Sequence, residues 1–227
     1  KVNTLFPHKL QEIAENSNSK LIHITTDCVF NGLKGLYNEN DAHNEENVYG
    51  VSKSLGEPEN SCIIRTSIIG HEYTHKKSLL EWIINQKGQN INGYSNHYWN
   101  GVTCLTLANI IKYMIDNKIF WKGIRHIHSP DIVSKYELCL YVNVIYDLHI
   151  NICKYEEKEK TDKSLSTIYS TNDLFTIPSI EQQELVIGYL EKVSKQTKET
   201  QSKLEEQLAY LKQLKSSILS KAFQGEL

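Results

Sequence analysis

Short apolar runs alternate with amphipathic segments of helix length from Lys1 to about Glu156. This alternation is typical of βαβ units and predicts an α/β fold with a parallel sheet. Helical spacing of apolar residues predicts helices within 3–17, 76–88, 103–117 and 134–148. The β-rich runs predict strands within 20–30, 61–69, 123–129 and 151–156.

The first two predicted strands are almost continuously apolar. Strands of this kind are buried on both faces, so the pattern favours a partial Rossmann-like parallel sheet with helices on both faces. We assign residues 1–176 to this domain.

The pattern changes after about Ile177, where Glu, Lys, Gln, Leu and Ser dominate. From Glu181 onward apolar residues recur in steps of four and three, which predicts a long coiled-coil-type helix in a second unit, 177–227. Such a helix cannot bury its seam alone, so we expect residues 181–222 to self-associate or to pack on a partner helix. A solvated helix lying against the first domain is the alternative. The positions of this seam, which is polar in its middle, are Val186, Leu190, Val193, Thr197, Thr200, Leu204, Gln207, Leu211, Leu214 and Ile218.

Composition excludes several classes of protein. The formal net charge of −2 predicts no direct contact with nucleic acid or an anionic membrane. No apolar run is long enough for a membrane span and Lys1–Leu10 lacks the features of a secretory signal, so a cytoplasmic location is expected. The five cysteines are widely spaced, and the histidines at 126 and 128 alternate along a strand without a carboxylate partner, so we predict no metal site.

Candidate chemistry lies in two adjacent segments. Thr25, Thr26 and Asp27 end a predicted strand, where open α/β sheets bind their ligands. Tyr49 and Lys53 follow, four residues apart and therefore on one face of a helix. Reduction of a ketone needs a proton donor, and a neighbouring ammonium is expected to lower the pKa of the phenol toward neutrality. Read alone, Tyr-x-x-x-Lys is weak evidence, and a solvated surface pair is its first interpretation.

The ordered series "ITTDCVFNG", "NVYGVSKSLGE" and "CIIRTSIIG" resembles the extended short-chain dehydrogenase/reductase family, especially sugar-nucleotide reductases similar to dTDP-4-dehydrorhamnose reductase. The resemblance covers about residues 2–183. It implies that Thr26, Tyr49 and Lys53 are the catalytic residues, with Tyr49 and Lys53 also contacting the cofactor.

The same resemblance implies further roles. Asn3 would support the site, and Trp99, Asn100 and Gly101 would lie on the substrate side. The implied cofactor is NADPH or NADH, and the implied substrate is a nucleotide-activated keto sugar.

Members of that family also carry a strand, a Gly-x-x-Gly-x-x-Gly turn and a helix that hold the cofactor pyrophosphate. No such turn occurs in these 227 residues. We therefore expect a truncated cofactor site, an enzyme inactive as this chain alone, and an unpaired apolar sheet edge that invites association.

Residues 177–227, with their closing "LKSSILSKAFQGEL", resemble the conserved C-terminal helix of type I restriction enzyme specificity subunits. This resemblance implies an interaction module of a DNA-binding complex. Three hypotheses thus stand: a sugar-nucleotide reductase or epimerase, such a module, or an inactive fusion of the two.

Overall fold

Alternating helices and strands form the N-terminal unit in the computed structural model, which describes residues 1–170 and 202–210. The chain divides into Lys1–Glu184 and Leu185–Leu227. The helices are α1 (Leu5–Asn16), α2 (Val48–Ser54), α3 (Leu79–Ile84), α4 (Cys104–Asp116) and α5 (Lys135–Ile145). The strands are β1 (Ile22–Thr26), β2 (Cys62–Thr66), β3 (Ile68–Ile69), β4 (Asn90–Tyr94), β5 (His97–Trp99), β6 (Val102–Thr103), β7 (Gly123–His126), β8 (Val133–Ser134), β9 (Asn151–Tyr155) and β10 (Thr161–Asp162).

The strands form four small groups that are mostly parallel. In the first, β1, β2 and β7 lie side by side and parallel, with Ile24 opposite Ile64 and Ile64 opposite Arg125. The pairs β3–β6 and β4–β9 are also parallel. In the last group β5 runs parallel to β10 and antiparallel to β8. The predicted parallel α/β organisation is therefore confirmed.

Strand β2 is the buried centre of the first sheet. One face carries Cys62 and Ile64, which pack with Leu107, Ile110 and Met114 of α4. Its other face carries Arg65, which is fully buried and forms a double hydrogen-bonded ion pair with Glu57 (2.6 and 3.2 Å). The buried charge is tolerated because its partners lie in fixed positions around it.

Strand β1 does not have the burial that its apolar sequence predicts. It pairs only with β2 among the described residues, and Ile24 is 41 % exposed. Helix α1 likewise leaves Leu5 and Ile13 more than half exposed, so only part of its predicted apolar face is covered. Within residues 1–170 and 202–210, β1 is therefore an edge strand of its sheet.

Most of the predicted long helix lies outside the described residues. Residues 202–210 are helical, with Leu204 and Leu208 exposed. The coiled coil, its partner and the resemblance of 177–227 to restriction subunits therefore stay predictions. No helix among the described residues has both the length and the apolar character that a membrane crossing requires.

Candidate active site

The carboxyl end of β1 turns sharply and presents a cluster of polar side chains. Thr26 is extended, and its Oγ1 accepts a hydrogen bond from the Cys28 amide at 3.1 Å, which caps a single 3₁₀ turn over Asp27–Val29. This cap fixes the Thr26 hydroxyl at the sheet edge, where the fold class places its ligands.

Helix α2 is held against this turn by its first residues. The side chain of Asn47 caps the helix by accepting a hydrogen bond from the Gly50 amide at 2.8 Å. A Cβ atom at Gly50 would lie 2.4 Å from the Cys28 carbonyl oxygen, so only glycine permits this approach. The contact positions Tyr49, the neighbour of Gly50, over the turn.

Thr26, Tyr49 and Lys53 meet in one pocket of about 320 Å³. Tyr49 and Lys53 lie one helical turn apart on α2, and the Lys53 Nζ is 6.0 Å from the centre of the Tyr49 ring. The full lining is Ile24, Thr25, Thr26, Asp27, Cys28, Tyr49, Lys53, Thr66, Ser67 and Ile68. The structure therefore brings together the three residues that the sequence singles out.

The electrostatics of Tyr49 differ from the sequence expectation. Burial raises the pKa of the phenol, the nearby Cys28 and Asp27 raise it further, and a hydrogen bond with the Thr26 side chain lowers it. The net shift of the Tyr49 pKa is upward, opposite to the lowering toward neutrality that the sequence predicts for a phenol beside an ammonium. The pocket thus favours the neutral phenol, which is the form that donates a proton.

Asp27 is a residue of this site that the sequence leaves open as either a second acid beside Thr26 or a turn-forming residue at the end of a strand. Its carboxylate is 5 % exposed and accepts a hydrogen bond from the Thr26 Oγ1 at 3.1 Å. Burial raises the pKa of Asp27, against hydrogen bonds from Thr26, Ser67 and Cys28 and the charge of Lys163. Its position directly after Thr26 was the only sequence signal.

Thr25 carries an unsatisfied hydroxyl next to this pocket. Its side chain is 4 % exposed, and no hydrogen-bond partner of its Oγ1 lies within residues 1–170 and 202–210. Buried hydroxyls of this kind are uncommon in native proteins and mark places where a ligand or a water completes the structure.

Asn3 lies where it can support the helix that carries the site. Its Nδ2 donates a hydrogen bond to the Ser52 Oγ at 3.3 Å, and the adjacent Thr4 hydroxyl donates to the Ser52 carbonyl at 3.2 Å. Its own carbonyl oxygen approaches Gly56 so closely that a Cβ there would lie 1.8 Å away. These contacts fasten the chain before α1 to α2 next to Lys53.

The proposed substrate-side residues lie in the interior and are not part of the pocket lining. Trp99 packs in a second apolar core, and a Cβ at Gly101 would collide with the Trp99 ring at 2.4 Å. The Asn100 amide donates to the Leu165 carbonyl at 2.8 Å and accepts from the Leu165 amide at 2.8 Å. Their contacts are those of packing residues, and a role in substrate binding stays a prediction.

His126, on strand β7, is fully buried and hydrogen-bonded within the protein. The Nε2 of His126 accepts a hydrogen bond from Arg65 at 2.9 Å, and its Nδ1 lies 2.8 Å from the Ser166 carbonyl. A ring that accepts on one nitrogen and donates from the other is neutral. Among residues 1–170 and 202–210, no three His, Cys, Asp or Glu side chains are grouped as metal ligands.

Comparison with known proteins gives a consistent result. A family model described as "RmlD substrate binding domain" matches residues 1–160. The chain is 31 % identical over 144 residues to a dTDP-4-dehydrorhamnose reductase from Aggregatibacter actinomycetemcomitans, covering 59 % of this chain and 49 % of the relative. It is 29 % identical over 161 residues to the spore coat polysaccharide biosynthesis protein SpsK of Bacillus subtilis, covering 67 % of this chain and 55 % of that protein.

Solved structures share the fold. A dTDP-4-dehydrorhamnose reductase from Bacillus anthracis, crystallised with NADP, superimposes with a TM-score of 0.71 at 19 % identity, covering 83 % of this chain and 72 % of that one. The chain spans about half the length of the curated relatives it matches.

Proposed function

The chain belongs to the family of the RmlD substrate binding domain, and from this premise we propose that it serves the NAD(P)H-dependent reduction of a nucleotide-activated keto sugar. The observation that carries the proposal is the convergence of Thr26, Tyr49 and Lys53 in one pocket at the carboxyl edge of a parallel sheet. A curated relative and a solved structure, both named dTDP-4-dehydrorhamnose reductase, support the proposal.

Each of the three residues has a distinct task in this proposal. The Tyr49 phenol, kept neutral by burial, donates its proton to the oxygen of the keto group as that oxygen becomes an alkoxide. The Thr26 hydroxyl, fixed by its bond from the Cys28 amide, orients that oxygen. The Lys53 ammonium stabilises the negative charge that remains on the tyrosine.

The residues present fit the nicotinamide end of NADPH or NADH, which supplies the hydride when bound. The donors of the pocket, the hydroxyls of Thr26 and Tyr49 and the ammonium of Lys53, match a ligand that carries hydroxyl and carboxamide groups. By the family resemblance, Lys53 and Tyr49 contact the adjacent ribose. The pyrophosphate has no glycine-rich turn in these 227 residues, so the proposal assigns this chain the nicotinamide end alone.

The predicted substrate-side residues are Trp99, Asn100 and Gly101. In this proposal they act on the substrate side through the shape of the chain segment that they hold in place. The Asn100 amide ties the backbone at Leu165 to the strand group of β5, β8 and β10. Their effect on the substrate is therefore indirect in this proposal.

The test is a fluorescence titration of the 227-residue chain with NADPH and then NADH. Saturable quenching or energy transfer is expected in the wild type and is weakened in Lys53→Met, because the ammonium binds the ribose end. Lys112→Met, at an exposed position of α4, is the matched control and leaves the titration unchanged.

Turnover is measured separately, as loss of reduced nicotinamide absorbance in the presence of dTDP-4-dehydrorhamnose. Tyr49→Phe is expected to abolish any turnover, because it removes the proton donor, whereas Tyr73→Phe, at a fully exposed position, has no effect. Absence of saturable binding of both nucleotides would refute the cofactor part of the proposal.

A further inference from the structure

Helix α2, which carries Tyr49 and Lys53, is too short to be stable by itself. It has seven residues, and of these only Gly50 is buried. Its first turn is held by the Asn47 cap and by the approach of Gly50 to the Cys28 carbonyl. The position of Lys53, near the other end, therefore depends on what contacts the last residues of the helix.

His43 makes such a contact. Its Nδ1 lies 2.5 Å from the Oγ of Ser54, the residue after Lys53, and its Nε2 lies 2.6 Å from the Nη2 of Arg65 on β2. Arg65 is a rigid anchor, because it is fully buried and also donates to Glu57 at 2.6 Å. The imidazole thus bridges the end of α2 and the strand next to β1.

The chemistry of the two partners determines where the ring carries its proton. A guanidinium has no acceptor, so the Nε2 of His43 must be unprotonated and accept from Arg65. The proton of the neutral ring then lies on Nδ1 and is donated to the Ser54 Oγ. The other neutral tautomer and the imidazolium both carry a proton on Nε2, facing the guanidinium. Only the Nδ1–H tautomer therefore makes both bonds.

The groups around His43 favour this neutral form. Burial, and then the charge of Arg65, lower the pKa of His43, against the opposing charge of Glu57. The Glu57 Oε2 lies 3.6 Å from the Nε2 of His43, but this carboxylate already accepts two hydrogen bonds from Arg65. The remaining ring contact, Phe30 at a centroid distance of 5.8 Å, is uncharged.

We propose that His43 is a positioning residue of the site: as the Nδ1–H tautomer it ties the end of α2 to Arg65 and so sets where Tyr49 and Lys53 lie. The inference rests on the proposed function. His43 is not part of the pocket lining, so it acts on the reaction only through the helix.

The tautomer is tested by ¹⁵N NMR of the histidine rings in the 227-residue chain. The His43 signals are assigned by their loss in His43→Gln. At neutral pH they are expected to show a protonated Nδ1 and an unprotonated Nε2. A proton on Nε2 overturns the inference, because the bond from Arg65 could not then form.

The bridge is tested by amide hydrogen exchange of Leu55, whose N–H donates to the Val51 carbonyl at 3.0 Å. His43→Gln keeps an acceptor for Arg65 without the group that reaches Ser54, and Ser54→Ala removes the other end of the bridge. Each variant is expected to exchange about fivefold faster, the factor for one net hydrogen bond. The double variant should exchange no faster than either, because both changes break the same contact. Unchanged exchange, or effects that multiply, contradicts the bridge.

An NADPH fluorescence titration connects the bridge to the proposed function. His43→Gln and Ser54→Ala are expected to weaken binding by the same factor, up to about fivefold. His75→Gln, at an exposed position, is the control and changes neither binding nor exchange. Unchanged NADPH binding in the two bridge variants overturns the positioning role. A wild type that binds no nucleotide, but shows the expected tautomer and exchange, refutes the proposed function and leaves the bridge intact, so the two failures are distinguishable.

Discussion

At the scale of single residues, the site is organised by polar groups buried behind the pocket wall. Arg65 is enclosed by Glu57, His43 and His126, and its guanidinium lies 5.2 Å from the centre of the Phe30 ring. This network lies directly beside β1, because Arg65 pairs with Thr25 across the sheet. The rigidity of the pocket floor therefore depends on groups that titrate.

His126 should make the fold sensitive to mild acid. Burial, and then the charge of Arg65, lower the pKa of His126 to about 4 from an ordinary value of 6.5. Between pH 6.5 and 4, His126 therefore binds a proton in the unfolded chain but not in the folded chain. The free energy of unfolding that His126 contributes above pH 6.5 is lost as the pH falls toward 4. The loss attributable to this residue is at most about 3 kcal/mol.

Urea unfolding at a series of pH values measures this effect. His126→Gln, whose side-chain oxygen can still accept from Arg65, should flatten the dependence in that window, and His75→Gln at the surface should not. Some slope will remain, because burial also lowers the pKa of His43. Equal slopes in His126→Gln and the wild type would contradict the assignment.

At the scale of elements, short contacts decide where the helices lie. Alanine is normally preferred to glycine in a helix by about 1 kcal/mol. At Gly50 this preference should be reversed, because a Cβ would meet the Cys28 carbonyl at 2.4 Å and the Glu45 side chain at 2.3 Å. We expect Gly50→Ala to lower the melting temperature and to shift the pKa of Tyr49 by moving α2 away from the turn.

Val48→Ala, at an 86 % exposed position of the same helix, is the control for that experiment. It should alter neither the melting temperature nor the Tyr49 titration. An unchanged Tyr49 pKa in Gly50→Ala would show that the helix does not need this close approach.

Helix α5 begins with a reciprocal cap that the sequence predicts from Ser134 and Glu137. The Glu137 amide donates to the Ser134 Oγ at 3.2 Å, and the Ser134 amide donates to the Glu137 Oε2 at 2.7 Å. Ser134→Ala should cost about 1 kcal/mol of unfolding free energy, measured by chemical denaturation. Ser134→Thr keeps the hydroxyl and should recover most of it. Equal losses in the two variants would mean that packing, not capping, is responsible.

Prediction succeeded at the scale of elements where periodicity is strong and local. The amphipathic runs of α4 and α5 and the apolar runs of β2 and β7 fall within their predicted ranges. Strand β3 lies in the same predicted run as β2, whereas β4, β5, β6, β8 and β10 were not predicted. Strands β5, β6, β8 and β10 are too short to carry a period of their own, and β4 pairs with the distant β9.

In the candidate site, too, local sequence features predict some residues and fail to predict others. Tyr49 and Lys53 are predictable from helical spacing, and Thr26 from its place at the end of a strand. The unsatisfied Thr25 hydroxyl and the burial of Asp27 are not predictable, because burial depends on how distant segments of the chain pack together. The direction of the Tyr49 pKa shift was missed for that reason, since spacing reveals the neighbouring ammonium but not the loss of solvent.

At the scale of the whole molecule, the described part of the N-terminal unit leaves the apolar surface of α1 and the outer edge of strand β1 uncovered. Helices of globular proteins normally bury one apolar stripe, yet Leu5, Phe6 and Ile13 of α1 are 61, 56 and 61 % exposed. Within residues 1–170 and 202–210, the outer edge of β1 has no partner strand. Exposed edges and apolar faces of this kind drive association in water.

We therefore expect the chain to form concentration-dependent oligomers through α1, as measured by size-exclusion chromatography with light scattering. The double substitution Leu5→Glu and Ile13→Glu should shift the population toward monomer without lowering the melting temperature, because neither side chain is buried. Val144→Glu, at a 78 % exposed position of α5, adds a charge elsewhere and should leave the oligomers unchanged. If Val144→Glu dissociates them equally, net charge rather than the α1 surface controls association; if neither does, the interface lies outside α1.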